Sequence, residues 1–148
     1  MSLVVDTSVV AKVFLDEQDR DRARGVIAAG IRGEAALMCP SLLLYEFNNA
    51  LVSKAVTGTY YDRAITALMG WVRSDVIAVV EPDETLLRRA EAIASMDTQG
   101  QGYISSFDAT FHALALIRGG TFVTADAAYV RKTKSLIGSV ELLQDVQF

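Results

Sequence analysis

Cysteine and histidine are almost missing from this chain: its 148 residues include one of each, Cys39 and His112. One cysteine excludes an internal disulfide, and one sulfur with one imidazole cannot supply the ligand set of a zinc site. A Ser-His-Asp triad would rest on His112 alone, and nothing in its surroundings builds one. Cys39 lies in an apolar run and reads as a small core residue in a reducing, cytoplasmic setting. No uncharged apolar run reaches the about 18 residues that a membrane-spanning helix needs. The first strand begins so close to residue 1 that no secretory signal is expected. Glycine-rich phosphate loops are missing as well: neither a Walker A nor a G-x-G-x-x-G pattern occurs. There are only two prolines, Pro40 and Pro82, and each follows a short apolar run. Low-complexity stretches, internal repeats and linkers are absent, so one domain over 1–148 is expected. A chain of this length buries roughly two-thirds of its unfolded surface.

What is abundant is apolar, at 51% of residues, which argues for a packed core and against disorder. The charge balance is acidic, with 18 Asp and Glu against 14 Lys and Arg for a net −4. At face value this disfavours a polyanion as partner. If four of those acids share one site, however, the remainder is balanced, and the acidic total need not describe the whole surface.

Leu3-Val4-Val5 is a run of branched aliphatics, the pattern of an inner parallel strand covered on both faces. It stops on Asp6, with the hydroxyls of Thr7 and Ser8 next, and a helix is expected from Val9 to Leu15. A charged stretch, Asp16 to Arg24, leads into an amphipathic helix through Ala23, Val26, Ile27 and Ile31 that ends at Gly33. Ala35 to Cys39 reads as the second strand, and Ser41 as N-cap of a helix from Leu42 to about Val56, broken by Gly58. Tyr60 to Arg73 is the next helix and Val76 to Val80 the third strand. Asp83 and Glu84 suit a helix start, with Leu86, Leu87, Ala90, Ile93 and Ala94 on its apolar side. Asp97 to Gly102 is a surface loop. Ser105 to Arg118 is a strongly apolar helix closed by Gly119-Gly120. Thr121 to Thr124, Asp126 to Lys134 and Val140 to Leu143 are a strand, a short helix and a fifth strand. Strands alternating with helices imply right-handed crossovers and a parallel sheet of four to five strands with helices on both faces, a three-layer α/β/α sandwich.

Four carboxylates stand out by position. Asp6 ends the first strand and Asp126 lies two residues past the fourth, so both belong to the carboxyl edge of the sheet, where open α/β folds bind ligands. Each also suits a helix N-cap. Glu46 shares a helix side with Leu42, Leu43, Asn49 and Ala50, while Ser53 and Lys54 take the positions expected to face solvent; the alternative is an ordinary solvated glutamate. Asn49, one turn on, is placed to orient its carboxylate. Asp108 fits a capping box begun by Ser105, but it opens a helix apolar nearly all round, so it must face the rim or a partner. Gathered together, such acids would raise one another's pKa unless a cation lay among them. An all-oxygen ligand set favours Mg²⁺ or Mn²⁺ over Zn²⁺. His112, four residues beyond Asp108, either pairs with it or is a helix histidine satisfied elsewhere. Arg131, Lys132 and Lys134 beyond Asp126, and Lys12 in the first helix, are candidate phosphate contacts; a solvated helix end explains the first three equally well. A haloacid-dehalogenase phosphatase also opens on a strand and an Asp, but needs a second Asp where this chain has Ser8.

Four short motifs in this order resemble PIN-domain ribonucleases: strand-Asp6-Thr7-Ser8, Glu46-x-x-Asn49 on the helix after Pro40, Ser106-Phe107-Asp108-Ala109 leading into Ala113-Leu114-Ala115, and Thr124-Ala125-Asp126. Length and element order look most like the VapC toxins of bacterial and archaeal toxin–antitoxin pairs, and the likeness covers nearly the whole chain. It implies strand order 3-2-1-4-5, with the first strand central. It further implies that Asp6, Glu46, Asp108 and Asp126 bind one or two Mg²⁺ or Mn²⁺ ions for hydrolysis of RNA phosphodiester bonds. Thr124 and Ser8 would support those acids. His112 departs from the aliphatic or aromatic residue usual there, and Ala127 and Ala128 stand where a basic residue is more common. The resemblance also implies a homodimer and an antitoxin partner whose tail fills the acidic cleft and whose other end binds operator DNA. Tyr60-Tyr61 and the Met69 to Trp71 stretch could supply the dimer surface. The rival readings are a PIN-fold module that has lost catalysis and serves as an RNA or protein scaffold, and a metal-dependent phosphatase acting on small esters.

Overall fold

Three branched side chains in a row need cover on both sides, and the chain meets that need by placing its first strand mid-sheet. The computed structural model describes residues 1–148. Strand β1 (Ser2–Val5) is flanked by β2 (Ala36–Pro40) and β4 (Thr121–Thr124). Outside these lie β3 (Ile77–Val80) beyond β2 and β5 (Val140–Leu142) beyond β4. All pairings are parallel, and the order β3-β2-β1-β4-β5 agrees with expectation. Leu3, Val4 and Val5 are all buried. Leu3 pairs with Leu37 on one side and Thr121 on the other, so the carboxyl ends of these strands share one edge.

Seven helices cover the sheet: α1 (Thr7–Lys12), α2 (Arg20–Ile31), α3 (Leu42–Ser53), α4 (Gly58–Arg73), α5 (Glu84–Ala94), α6 (Ser106–Arg118) and α7 (Ala127–Thr133). Helix α1 packs on α2 and α3, and α4 lies on β3. Helix α6 crosses β2, β1 and β4 with α5 against it. The chain reverses direction across the sheet after β3, and right-handed crossovers then put the later helices on the other face.

Helix α6 shows why its sequence is apolar all round. Phe111, His112, Ala113, Leu114 and Ala115 are all buried. The Ser105 hydroxyl caps its start, accepting from the Asp108 amide at 3.1 Å. Its end is a left-handed Gly119 (φ 66°), and the Gly120 amide donates back to the Ala115 carbonyl at 2.8 Å.

Several local expectations are corrected. Ser41 is already helical (φ −57°, ψ −22°), which carries its hydroxyl away from the cap position, and it makes no side-chain cap bond. Helix α3 stops at Ser53, because Ala55 takes the left-handed conformation (φ 57°) before Gly58 is reached. Gly58 opens α4 instead of closing α3. Helix α1 ends at Lys12, short of Leu15. In α5 the buried stripe is Leu86, Ala90 and Ile93, which leaves Leu87 58% exposed. The aromatics offered for a dimer surface also make internal contacts, although Tyr60 stays 43% exposed. Trp71 stacks on Phe14 with ring centroids 5.6 Å apart, and the Tyr60 hydroxyl donates to the Phe14 carbonyl.

Two glycines test the packing in opposite directions. A Cβ on Gly120 would lie 2.7 Å from the Ser2 carbonyl oxygen, so Gly120→Ala must push β4 off β1. It is expected to cost about 1–3 kcal/mol in urea unfolding. Gly70 lies inside α4 with open space where a Cβ would go, so Gly70→Ala is expected to stabilise by about 0.5–1 kcal/mol.

Candidate active site

The end of β1 is where burial and charge collide. Asp6 is only 8% exposed, and an unpaired carboxylate there would be costly. Two hydroxyls from opposite ends of the chain answer it. Ser8 Oγ donates to Asp6 Oδ2 at 2.6 Å and Thr124 Oγ1 donates to the same oxygen at 2.8 Å. Each hydroxyl also accepts from the β4 side: the Ala125 amide reaches Ser8 Oγ and the Asp126 amide reaches Thr124 Oγ1, both at 3.1 Å. The carboxyl end of β1 is thereby laced to that of β4. Asp6 stands at the N-cap position of α1, but its side chain makes no cap bond.

The other three acids come to the same place from three elements. Asp6, Glu46, Asp108 and Asp126 all line one open cleft of about 540 Å³ over the carboxyl edge of the sheet. Glu46, on α3, accepts from Thr7 Oγ1 at 2.8 Å. Asp108 comes from the first turn of α6, and Asp126 from the turn after β4. Asp126 does cap α7, accepting from the Tyr129 amide at 3.1 Å, so the capping role and the place in the cleft coexist.

Burial and mutual repulsion act on these groups together. The Asp6 carboxyl is raised above its ordinary pKa, chiefly by burial, against the lowering effect of Ser8 and Thr124 and with a further push from Asp108. Glu46 is raised by burial and by the charges of Asp6 and Asp108, with the Thr7 bond opposing. Asp108 is raised by burial and by Asp126, while the Ser105 bond and the Lys132 charge oppose. None of the four forms a salt bridge with a lysine or arginine. Their donors are all oxygen, which suits a hard divalent ion such as Mg²⁺ or Mn²⁺. As the side chains stand, no three of them are arranged to grasp an ion. The fit is therefore one of chemistry and charge.

The remaining candidates divide. Ser8 and Thr124 hold Asp6 as expected, and Lys12 lines the cleft. Asn49 lines the cleft too but makes no bond to Glu46; Thr7, one residue past Asp6, holds that carboxylate instead. Lys132 lies close enough for its charge to act on Asp108, and its Nζ donates to the Tyr103 carbonyl at 3.1 Å. Arg131 and Lys134 are exposed, and neither lines the cleft. Ser53 and Lys54, expected to face solvent, are exposed and yet form part of the cleft wall. Glu17, from the charged segment after α1, completes that wall.

His112 does not pair with Asp108. Its ring lies between α7 and the turn before β5, with Nε2 2.7 Å from the Gly138 carbonyl and Nδ1 2.9 Å from the Tyr129 hydroxyl. A carbonyl only accepts, so Nε2 carries the hydrogen and Nδ1 accepts from Tyr129. Burial pushes the His112 pKa down and the Tyr129 pKa up, keeping both neutral.

A parallel α/β sandwich with carboxylates collected at the carboxyl edge of its central strand defines a class of acidic-cleft domains. The chain belongs to the PIN domain family, whose model matches residues 3–135. No curated protein sequence matches it significantly. Among solved structures, VapBC2 from Rickettsia felis bound to a DNA fragment from its promoter is 11% identical, over 96% of this chain and 98% of that one, with TM-score 0.68. FitAcB from Neisseria gonorrhoeae is 14% identical, over 97% and 99%, with TM-score 0.66. VapC20 of Mycobacterium tuberculosis, described as a sarcin-ricin loop cleaving toxin, is 21% identical, over 79% and 83%, with TM-score 0.59. At these identities the likeness is one of fold.

The neutral, buried His112 makes stability depend on pH with a definite sign. The unfolded chain takes up a proton near the ordinary imidazole value of 6.5, while the folded chain refuses it until lower pH. The contribution of His112 is thus complete above that value and lost progressively below it. Urea unfolding of wild type and His112→Gln across this range should show a steeper acid loss for wild type. Parallel curves would mean that His112 is not held neutral.

Proposed function

We propose that this protein is a divalent-metal-dependent endoribonuclease of the PIN family, acting as the toxin of a toxin–antitoxin pair in the cytoplasm. The observation that carries the reading is the convergence of Asp6, Glu46, Asp108 and Asp126 on one open cleft. Its neighbours in fold include a toxin described as cleaving the sarcin-ricin loop and complexes described as bound to DNA. In this reading the whole chain is one domain, its substrate is RNA, and an antitoxin covers the cleft and supplies the contact with DNA.

When bound, Mg²⁺ or Mn²⁺ would supply a water of lowered pKa and stabilise charge on the phosphodiester. The protein's own part is orientation. Ser8 and Thr124 fix Asp6 in one rotamer, Thr7 does the same for Glu46, and the α7 amide of Tyr129 fixes Asp126. Lys12 and Lys132 flank the acids and would hold phosphates of the bound strand. No side chain need act as nucleophile. We further propose a homodimer. The groove between α5 and the start of α6, with Leu87 and Phe107 58% and 59% exposed, supports pairing better than the Tyr60 to Trp71 helix.

The absence of a ready-made trio of ligands favours one other reading, a PIN module without catalysis. Incubation with structured RNA, with and without Mg²⁺, separates them. Cleavage is expected only with the ion, lost in Asp6→Asn and reduced about 10–100-fold in Thr124→Val. Intact RNA in every lane would support the scaffold, and release of phosphate from monoesters alone would support a phosphatase. Because the acids are raised, protons compete with the ion, so cleavage should decline as pH falls. Mg²⁺ should also raise the melting temperature, by up to about 2.7 kcal/mol of added stability at a hundredfold excess over Kd. Asp6→Asn should lose that response.

A further inference from the structure

The wall of the cleft formed by α1 and the end of α3 carries a second group of charges that the catalytic acids do not use. Lys12 is the anomaly. Its side chain is only 16% exposed, on the wall of a cleft that already holds four carboxylates. A lysine so covered needs an anion, and the one that reaches it is Glu17, with Oε2 3.2 Å from Nζ. The other carboxylate oxygen of Glu17, Oε1, lies 3.5 Å from Lys54 Nζ. One carboxylate therefore sits between two ammonium groups, each oxygen taking one. That is also how a phosphodiester with two free oxygens would be held.

The three residues differ in how firmly they are mounted. Lys12 is the last residue of α1, and Lys54 caps the end of α3. Glu17 belongs to neither helix; it lies in the irregular segment between α1 and α2, with Asp16 and Asp19 beside it. Both cations are mounted on helices, Lys12 covered and Lys54 with its side chain 60% exposed, and the anion is on a loop. Position along α1 supplies the alignment. Ser8, which holds Asp6, and Lys12 are four residues apart on α1, about one turn, and both line the same cleft as the acids and Lys54.

We propose that Lys12 and Lys54 form a phosphate subsite for the RNA strand, and that Glu17 occupies it in the free protein as an internal substitute for that phosphate. The subsite rests on the nuclease reading for its substrate class. Glu17 leaves as the strand enters, so the two lysines meet the polyanion only when it is aligned with the acids. Five carboxylates against two lysines make the empty cleft repel a backbone. Exchange of Glu17 for a phosphate spares the lysines their only other partner and puts the strand's charge in place of the protein's own.

The test is equilibrium binding of an RNA oligonucleotide in EDTA, where hydrolysis that needs a divalent ion cannot proceed, followed by fluorescence anisotropy over a range of salt concentrations. Glu17→Gln is expected to tighten Kd by about 3–10-fold, the release of two partly exposed ion pairs. Lys12→Ala and Lys54→Ala are each expected to weaken it and to lower the salt slope by about one. In the double variant Glu17→Gln with Lys54→Ala the gain should shrink. Unchanged or weaker binding by Glu17→Gln, in a protein whose melting curve shows it folded, overturns the proposal, whether or not the protein cleaves RNA. Tighter binding by Glu17→Gln with no cleavage of natural RNA under any condition supports the subsite and removes the nuclease reading. Absence of binding by wild type and Glu17→Gln alike overturns the subsite.

Discussion

Everything at this site depends on how one buried charge is tolerated. A central strand must be apolar to sit between two layers of helices, yet this one ends on a carboxylate. The solution is a short hydrogen-bonded lattice in which Ser8 and Thr124 donate to one oxygen of Asp6 while accepting from the amides of Ala125 and Asp126. Donors that are themselves polarised make stronger bonds, and each member restricts the next. The lattice does two things at once. It makes Asp6 bearable where it is, and it sets the position of Asp126 relative to it.

The other acids follow the same pattern of one orienting partner each, with an important asymmetry. Asp6 is held from both flanking elements, whereas Glu46 has a single hydroxyl from Thr7. Asp6 is thus held by more partners than the acids around it. All four line one cleft, and no three of them are set around a common point. Behind the cleft, His112 and Tyr129 form a neutral, buried brace between α6, α7 and the turn before β5. The same Tyr129 whose hydroxyl meets His112 lends its amide to Asp126, so the brace bears on the cleft from behind.

The strands, helices and candidate acids were legible because each leaves a local mark, whereas the strand order came only with the family resemblance. An aliphatic triplet closed by Asp6, a glycine pair after an all-apolar helix, and acids just past strand ends are patterns visible within a few residues. The partners of those acids were less so. Asn49 is at the right helical spacing to serve Glu46, but Thr7 reaches it from 39 residues away, and periodicity within α3 says nothing about α1. Lys54 does face solvent as its helical spacing predicts, but that spacing says nothing of the cleft another element builds beside it. Ser41 and Gly58 misled in the opposite way. Each is a favoured residue at a helix boundary, yet the backbone had already turned, at Ser41 itself and at Ala55, so the propensity found no role.

One further consequence lies in the order in which the sheet's neighbours occur along the chain. The hydroxyl that completes the environment of Asp6 comes from a residue 118 positions later. During synthesis the middle of the sheet therefore waits for one of its two flanks until most of the polypeptide has left the ribosome. Until then Asp6 has no reason to be dehydrated and the cleft has no second wall. A chain that stops before β4 lacks both Thr124 and Asp126, so it holds only part of the cleft and none of the lattice that joins Asp6 to its far side.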